Sequence, residues 1–158
     1  MKALPVALAL AVVAANVVSA APAWAQVADA KVLQDRQALM KNQGQDMGAV
    51  KGYLDDKNDL AKAADGAADL QRTMAKIPDV FPPNTAGPNP DGKYETKAEV
   101  WSDWKGFLEQ RDSAVKKVEA LQAALKGGDK AAIQAAFGDL GKNGCGGCHQ
   151  KFRAEITK

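Results

Sequence analysis

Apolar residues return every three or four positions along most of this chain, the spacing of α-helices that turn one face inward. From about Val27 to Leu54, the residues Leu33, Met40, Met47 and Leu54 recur at seven-residue spacing, and Leu39 and Val50 widen the stripe. A second run, about Asp59 to Ile77, sets Leu60, Ala64, Ala67, Leu70, Met74 and Ile77 at helical steps and stops at Pro78. A third, about Ala98 to Leu125, carries Trp101, Trp104, Leu108, Val115, Val118, Leu121 and Leu125 on one face. Gly127-Gly128 ends it and Asp129 can cap the next helix, along which Ile133, Phe137, Leu140, Gly144, Cys148 and Phe152 continue one face. No stretch alternates convincingly as a strand and no repeat is visible. The pattern predicts an all-α, antiparallel four-helix bundle in up-down order, with a cofactor pocket between helices.

The places where the pattern breaks carry as much information. Arg36 and Gln43 fall in the first apolar stripe, beside Gln37, and polar groups in a buried stripe need partners. Gly44 and Gly48 on the same helix mark either close helix contact or local weakening, roughly 1 kcal/mol each relative to alanine. Between Pro78 and Thr96 the chain holds five of its seven prolines, with Gly87 and Gly92, so a long loop joins the second and third helices. Such a loop either covers part of a site or is a simple crossover, and the crossover is the plainer expectation.

Chemistry enters at Cys145-Gly146-Gly147-Cys148-His149, which holds both cysteines and the single histidine. CxxCH reads as a c-type haem attachment site: two thiols can each form a thioether with a haem vinyl group, and the adjacent imidazole can ligate the iron. Three other readings compete. A thioredoxin-like pair belongs after a strand in a βαβ unit, and none is seen. A closed zinc site needs four ligands, and no other Cys or His exists. A structural disulfide would leave the histidine unexplained. The last helix also contains Gly138, Gly141, Gly144, Gly146 and Gly147, a propensity cost of roughly 4 to 5 kcal/mol. A covalently bound haem, whose ring the glycines let approach, offsets it; otherwise the helix breaks near Gly144 to Gly147.

Composition narrows the setting. Met1 and Lys2 precede an almost wholly small-apolar run from Ala3 to Val18 that ends in Ala23-Trp24-Ala25, a secretory signal pattern with cleavage expected after Ala25. The run is shorter than the roughly 20 residues of a transmembrane helix. Residues 26–158 then make one haem-binding domain, exported to the periplasm if the cell is Gram-negative, with no membrane span. A formal charge of +2 argues for neither nucleic acid nor a membrane surface.

Taken together these residues resemble the cytochrome c′ family, the class II c-type cytochromes, over essentially the whole mature chain. Arg36-Gln37-Ala38-Leu39-Met40 resembles its Arg-Gln-x-x-hydrophobe signature, Leu70 to Pro82 its second-helix end and Pro-rich loop, and Val100-Trp101 the start of its third helix. Cys145 to Arg153 matches its C-terminal haem signature. The resemblance implies a four-helix bundle with one haem c, often dimeric, in which Cys145 and Cys148 are the thioether residues and His149 the proximal iron ligand. It also implies Arg36 and Gln37 near the haem propionates, a role an arginine fork suits, while a solvated helix face is the plain alternative for Arg36. Arg153, four residues beyond His149, either tunes the proximal side or lies on the surface.

By the same resemblance Met40 faces the distal side, where some members leave the iron five-coordinate and others use methionine as sixth ligand. The run Leu39 to Gly44, followed by Met47, is more similar to low-spin members. His149/Met40 ligation is therefore expected, with Met47 as core. That predicts a periplasmic electron-transfer protein serving redox partner proteins, not an enzyme. The alternative is a five-coordinate module binding nitric oxide or carbon monoxide. A third reading is a dithiol oxidoreductase using the CxxC.

Overall fold

The computed structural model describes residues 23–157. The expected export signal, residues 1–25, falls almost wholly outside them. The first helix, α1 (Ala23–Leu54), turns at Asp55 to Asp59 into α2 (Leu60–Ala75), whose first turn is capped by the Asp59 carboxylate accepting from Lys62 N at 2.8 Å. A single 3-10 turn at Ile77–Val80 carries Pro78 and ends the second helix as expected.

The 78–96 connection is more ordered than a plain loop. It contains β1 (Gly87–Pro88) and β2 (Tyr94–Thr96), and with β3 (Arg153–Glu155) these form a small antiparallel sheet in the order β1-β2-β3. The pairing places Thr96 opposite Arg153 and Tyr94 opposite Glu155. Strands of two or three residues have no room for visible alternation, and that is why the sequence pattern misses them.

The third helix is interrupted. α3 (Glu99–Ser102) ends where Asp103 leaves helical backbone (φ −124°, ψ 51°), and the same residue caps α4 (Trp104–Gly127) by accepting from Gly106 N. Trp101 and Trp104 therefore do not share one continuous face. Trp101 instead turns its indole Nε1 to the carbonyls of Phe81 (3.1 Å) and Pro82 (2.9 Å), pinning the start of the connection. α4 stops at Gly128, whose φ of 72° suits glycine.

After Asp129, which caps α5 (Lys130–Asp139), the helix neither continues regularly nor breaks. It widens into a π-helical stretch, Leu140–Gly146, and tightens again as α6 (Gly147–Phe152). The π stretch begins at fully buried Leu140 and contains Gly141, Gly144 and Gly146, three of the five glycines that the sequence marks as costly. At Gly146 a Cβ would sit 3.1 Å from the Gly141 carbonyl oxygen, so the widened turn has little space for a side chain there.

α1, α2, α4 and the α5–α6 line form the four-helix bundle. Leu70, Val100, Val118, Leu121, Ile133 and Leu140 are completely buried in its core. The buried face of α1 is Arg36, Gln43, Asp46 and Val50, so the polar residues that interrupt the apolar stripe are themselves the inward ones, and Met40 and Met47 are half-buried beside them. Close contact between α1 and α2 occurs at Gly66, where a Cβ would lie 2.9 Å from Asp46 O and 3.0 Å from Ala49 Cβ. Gly44 and Gly48 have open space around them and are not the contact. On α2, Ala63 and Gly66 are buried in place of the expected Ala64, which is exposed.

Candidate cofactor site

One cavity of about 260 Å³ opens between α1, the connection and the α5–α6 line, and the residues singled out in the sequence converge on it: Arg36, Gln37 and Met40 from α1, Cys145 from the π stretch, Cys148 and His149 from α6. Arg153 also lines it, although its side chain is exposed and stacks on Tyr94 at 3.9 Å. Met47, expected in the core, is on the cavity wall as well.

The local geometry follows from the helices. Cys145 and Cys148 stand three residues apart across the junction of the widened and regular turns, a spacing that keeps two side chains on one side of a helix. They are not joined to each other. Burial pushes the Cys145 thiol up and takes Cys148 to about 11, the neighbouring Cys145 adding to the second shift. Both stay protonated thiols at neutral pH, the reverse of the low-pKa thiolate a reactive dithiol needs. Burial, followed by the charge of Arg153, brings His149 down to about 4, so its imidazole is neutral and keeps a lone pair for a metal.

The walls are largely aromatic and aliphatic. Phe107 packs edge-on to Phe152 (centroids 5.3 Å, planes at 90°) and tilted against Phe81 at 4.9 Å, and all three line the cavity with Met74 and Ile77. No Asp or Glu lines it, whereas Arg36, Arg111 and Arg153 do. The side-chain amide nitrogens of Gln37 and Gln43, both cavity residues, are buried without a hydrogen-bond partner. An apolar space with a cationic rim, unused donors, two protonated thiols and a neutral imidazole fits a flat apolar group with an anionic edge, and a covalently held haem has that chemistry. Among the described residues no three His, Cys, Asp or Glu side chains gather as a metal site.

The connection takes part in the site instead of merely crossing over. Phe81, Asn89 and Thr96 line the cavity, and the Arg36 guanidinium is held by this segment. Sequence reasoning missed Thr85 and Thr96, which accept from Arg36; no motif marks them, since they lie 49 and 60 residues from it. Arg36 is 2% exposed, so its alternative as a solvated residue falls away. No helix among the described residues is long and apolar enough to cross a membrane.

Comparison with known proteins gives one answer. The family model described as Cytochrome C' matches residues 31–153. Over 135 residues the chain is 34% identical to a cytochrome c′ of Rhodospirillum rubrum, an alignment covering 83% of this chain and 88% of that one. It is 40% identical over 97 residues to a cytochrome c′ of Rubrivivax gelatinosus, covering 60% of this chain and 70% of the relative. The crystal structure of cytochrome c′ from Rubrivivax gelatinosus superposes with a TM-score of 0.66 at 31% identity, over 80% of this chain and 97% of that one.

Proposed function

Because the chain belongs to the cytochrome c′ family, whose cofactor is haem c with its iron, we propose that it is a periplasmic electron-transfer protein. In this reading Cys145 and Cys148 carry the thioether links, and His149 and Met40 bind the iron. The observation that carries it is the convergence of Met40 from α1 and His149 from α6 on one cavity with both cysteines.

When bound, the haem supplies a one-electron couple at its iron. The chain does the rest. Cys145 and Cys148 would hold the group through two thioethers, and a neutral His149 would offer its lone pair without first losing a proton. The Met40 thioether, a soft donor, would bind the iron, raise its potential and exclude small gases. Phe81, Phe107 and Phe152 line the cavity and would keep water from an apolar group held there. Arg36 and Gln37 present donors to the propionate side. Redox partner proteins and a second copy of the chain are the partners this reading admits, and sedimentation of the purified protein reads the second.

Optical spectra of the purified protein test the proposal. The wild type is expected to be low-spin with a methionine-to-iron charge-transfer band that disappears in Met40→Ala. High-spin spectra in both oxidation states, with ready binding of carbon monoxide, would instead establish the five-coordinate, gas-binding reading. A mass without the covalent haem increment would sink both.

A further inference from the structure

The hydrogen bonds of Arg36 all run to one segment. Its Nε donates to Val80 O (3.0 Å), Nη1 to Thr85 O (3.0 Å) and Thr96 Oγ1 (2.9 Å), and Nη2 to Thr85 Oγ1 (2.7 Å). The guanidinium also stacks on Phe81, 4.2 Å from the ring centroid. Every acceptor is neutral, and among the described residues no carboxylate pairs with Arg36. A cation this deep loses its hydration and calls for a counter-charge, and burial has already lowered Arg36 to about 10.

Thr85 and Thr96 accept three of the four bonds. A guanidinium has five N–H groups, four are used here, and the fifth, on Nη2, belongs to a side chain on the cavity wall. Thr85 Oγ1 accepts from Arg36 and donates to Pro82 O at 2.8 Å, so its hydroxyl is locked in both roles. Thr96 is held from the other side by the sheet, where it faces Arg153 of β3, directly after the haem-signature helix.

We propose that Thr85 and Thr96 are positioning residues for the cofactor's carboxylate edge: their hydroxyls aim the remaining N–H and the uncompensated charge of Arg36 at the carboxylates. This rests on the reading of Arg36 as the propionate-side residue. A fixed positive charge near the iron favours the ferrous form, so loosening its aim favours the ferric form.

The test uses the haem-loaded protein. Thr85→Val combined with Thr96→Val keeps side-chain shape and removes both hydroxyls. Amide hydrogen exchange across residues 82–96 is expected to quicken about a hundredfold, the order of two lost bonds to a charged group. The ferrous-to-ferric ratio at fixed ambient potential is expected to fall about threefold, more at low than at high salt. Thr85→Ser with Thr96→Ser keeps both hydroxyls and should restore both readouts, and Arg36→Gln should lower the ratio roughly tenfold. If Arg36→Gln lowers the ratio while the valine pair changes exchange alone, the threonines only tie down the connection and the proposal is overturned. If Arg36→Gln leaves the ratio unchanged, the propionate-side reading itself fails and takes the proposal with it.

Discussion

Asp46 sits on the inward face of α1 with one carboxylate oxygen lacking a hydrogen-bond partner. Burial, then the charge of Asp69, raises its carboxyl above the ordinary range, with Arg72 pulling the other way. The folded form therefore holds a proton that the unfolded chain has released, and stability falls as pH rises from the ordinary carboxylate pKa through the raised one. Asp46→Asn should flatten that slope and melt higher than the wild type at neutral pH, with the two converging in acid; thermal melts across a pH series check this. Across the α1–α2 contact, Gly66→Ala forces a Cβ against Asp46 O and Ala49, and urea titration is expected to show a loss of about 1–3 kcal/mol. At this scale the sequence was legible where a residue was chemically out of character: Cys145, Cys148, His149 and Arg36 each stand out by type and position. Gly66, Thr85 and Thr96 are ordinary residues whose importance comes from a neighbour far along the chain, and no local rule points to them.

Between residues and the whole, the elements behave as the apolar pattern predicts except where a single residue or a ring size intervenes. Asp103 caps α4 with its own carboxylate, and that use of its side chain and backbone breaks what otherwise reads as one helix from Ala98. At the next helix, Asp129 accepts from the amides of Ala131 and Ala132, so Asp129→Ala should cost about 1 kcal/mol in a denaturant titration. The π stretch is the larger departure, because a wider turn leaves a three- and four-residue apolar pattern nearly intact and is invisible in it. It sets the rotation of Cys145 to His149 relative to buried Ile133 and Leu140. Deleting exposed Lys142 would shift that rotation by about 100°, one α-helical residue. The expected result is a steep loss of covalent haem, read by the mass of the exported protein, even if the bundle forms.

As a molecule, the protein surrounds its cavity with apolar side chains from α1, α2, the connection, α4 and α6, which a haem held there would cover. Replacing Cys145 and Cys148 together by alanine should give a protein whose haem is extracted by acid and organic solvent. Its melting temperature should lie below the wild type's, because a group that stabilises only the folded state is no longer retained there. Bundle topology was readable from helix count and turn lengths, since short connections leave antiparallel neighbours few alternatives. The small sheet was not, because its strands are two or three residues long and β3 joins β1 and β2 from beyond the last helix.

That sheet also sets a sequence of events. β3 is synthesised after every helix it closes over, and it is the partner that ties β2 back to the segment following α6, through pairs such as Thr96 with Arg153 and the bond from Lys97 N to Phe152 O at 3.1 Å. Apart from Arg153–Glu155, the 78–96 segment is held by Arg36, by Trp101, by Phe81 packed on Phe107 and by its own β1–β2 pairing. Arg153–Glu155, the last element along the described residues, therefore clasps the connection directly against the end of the attachment helix.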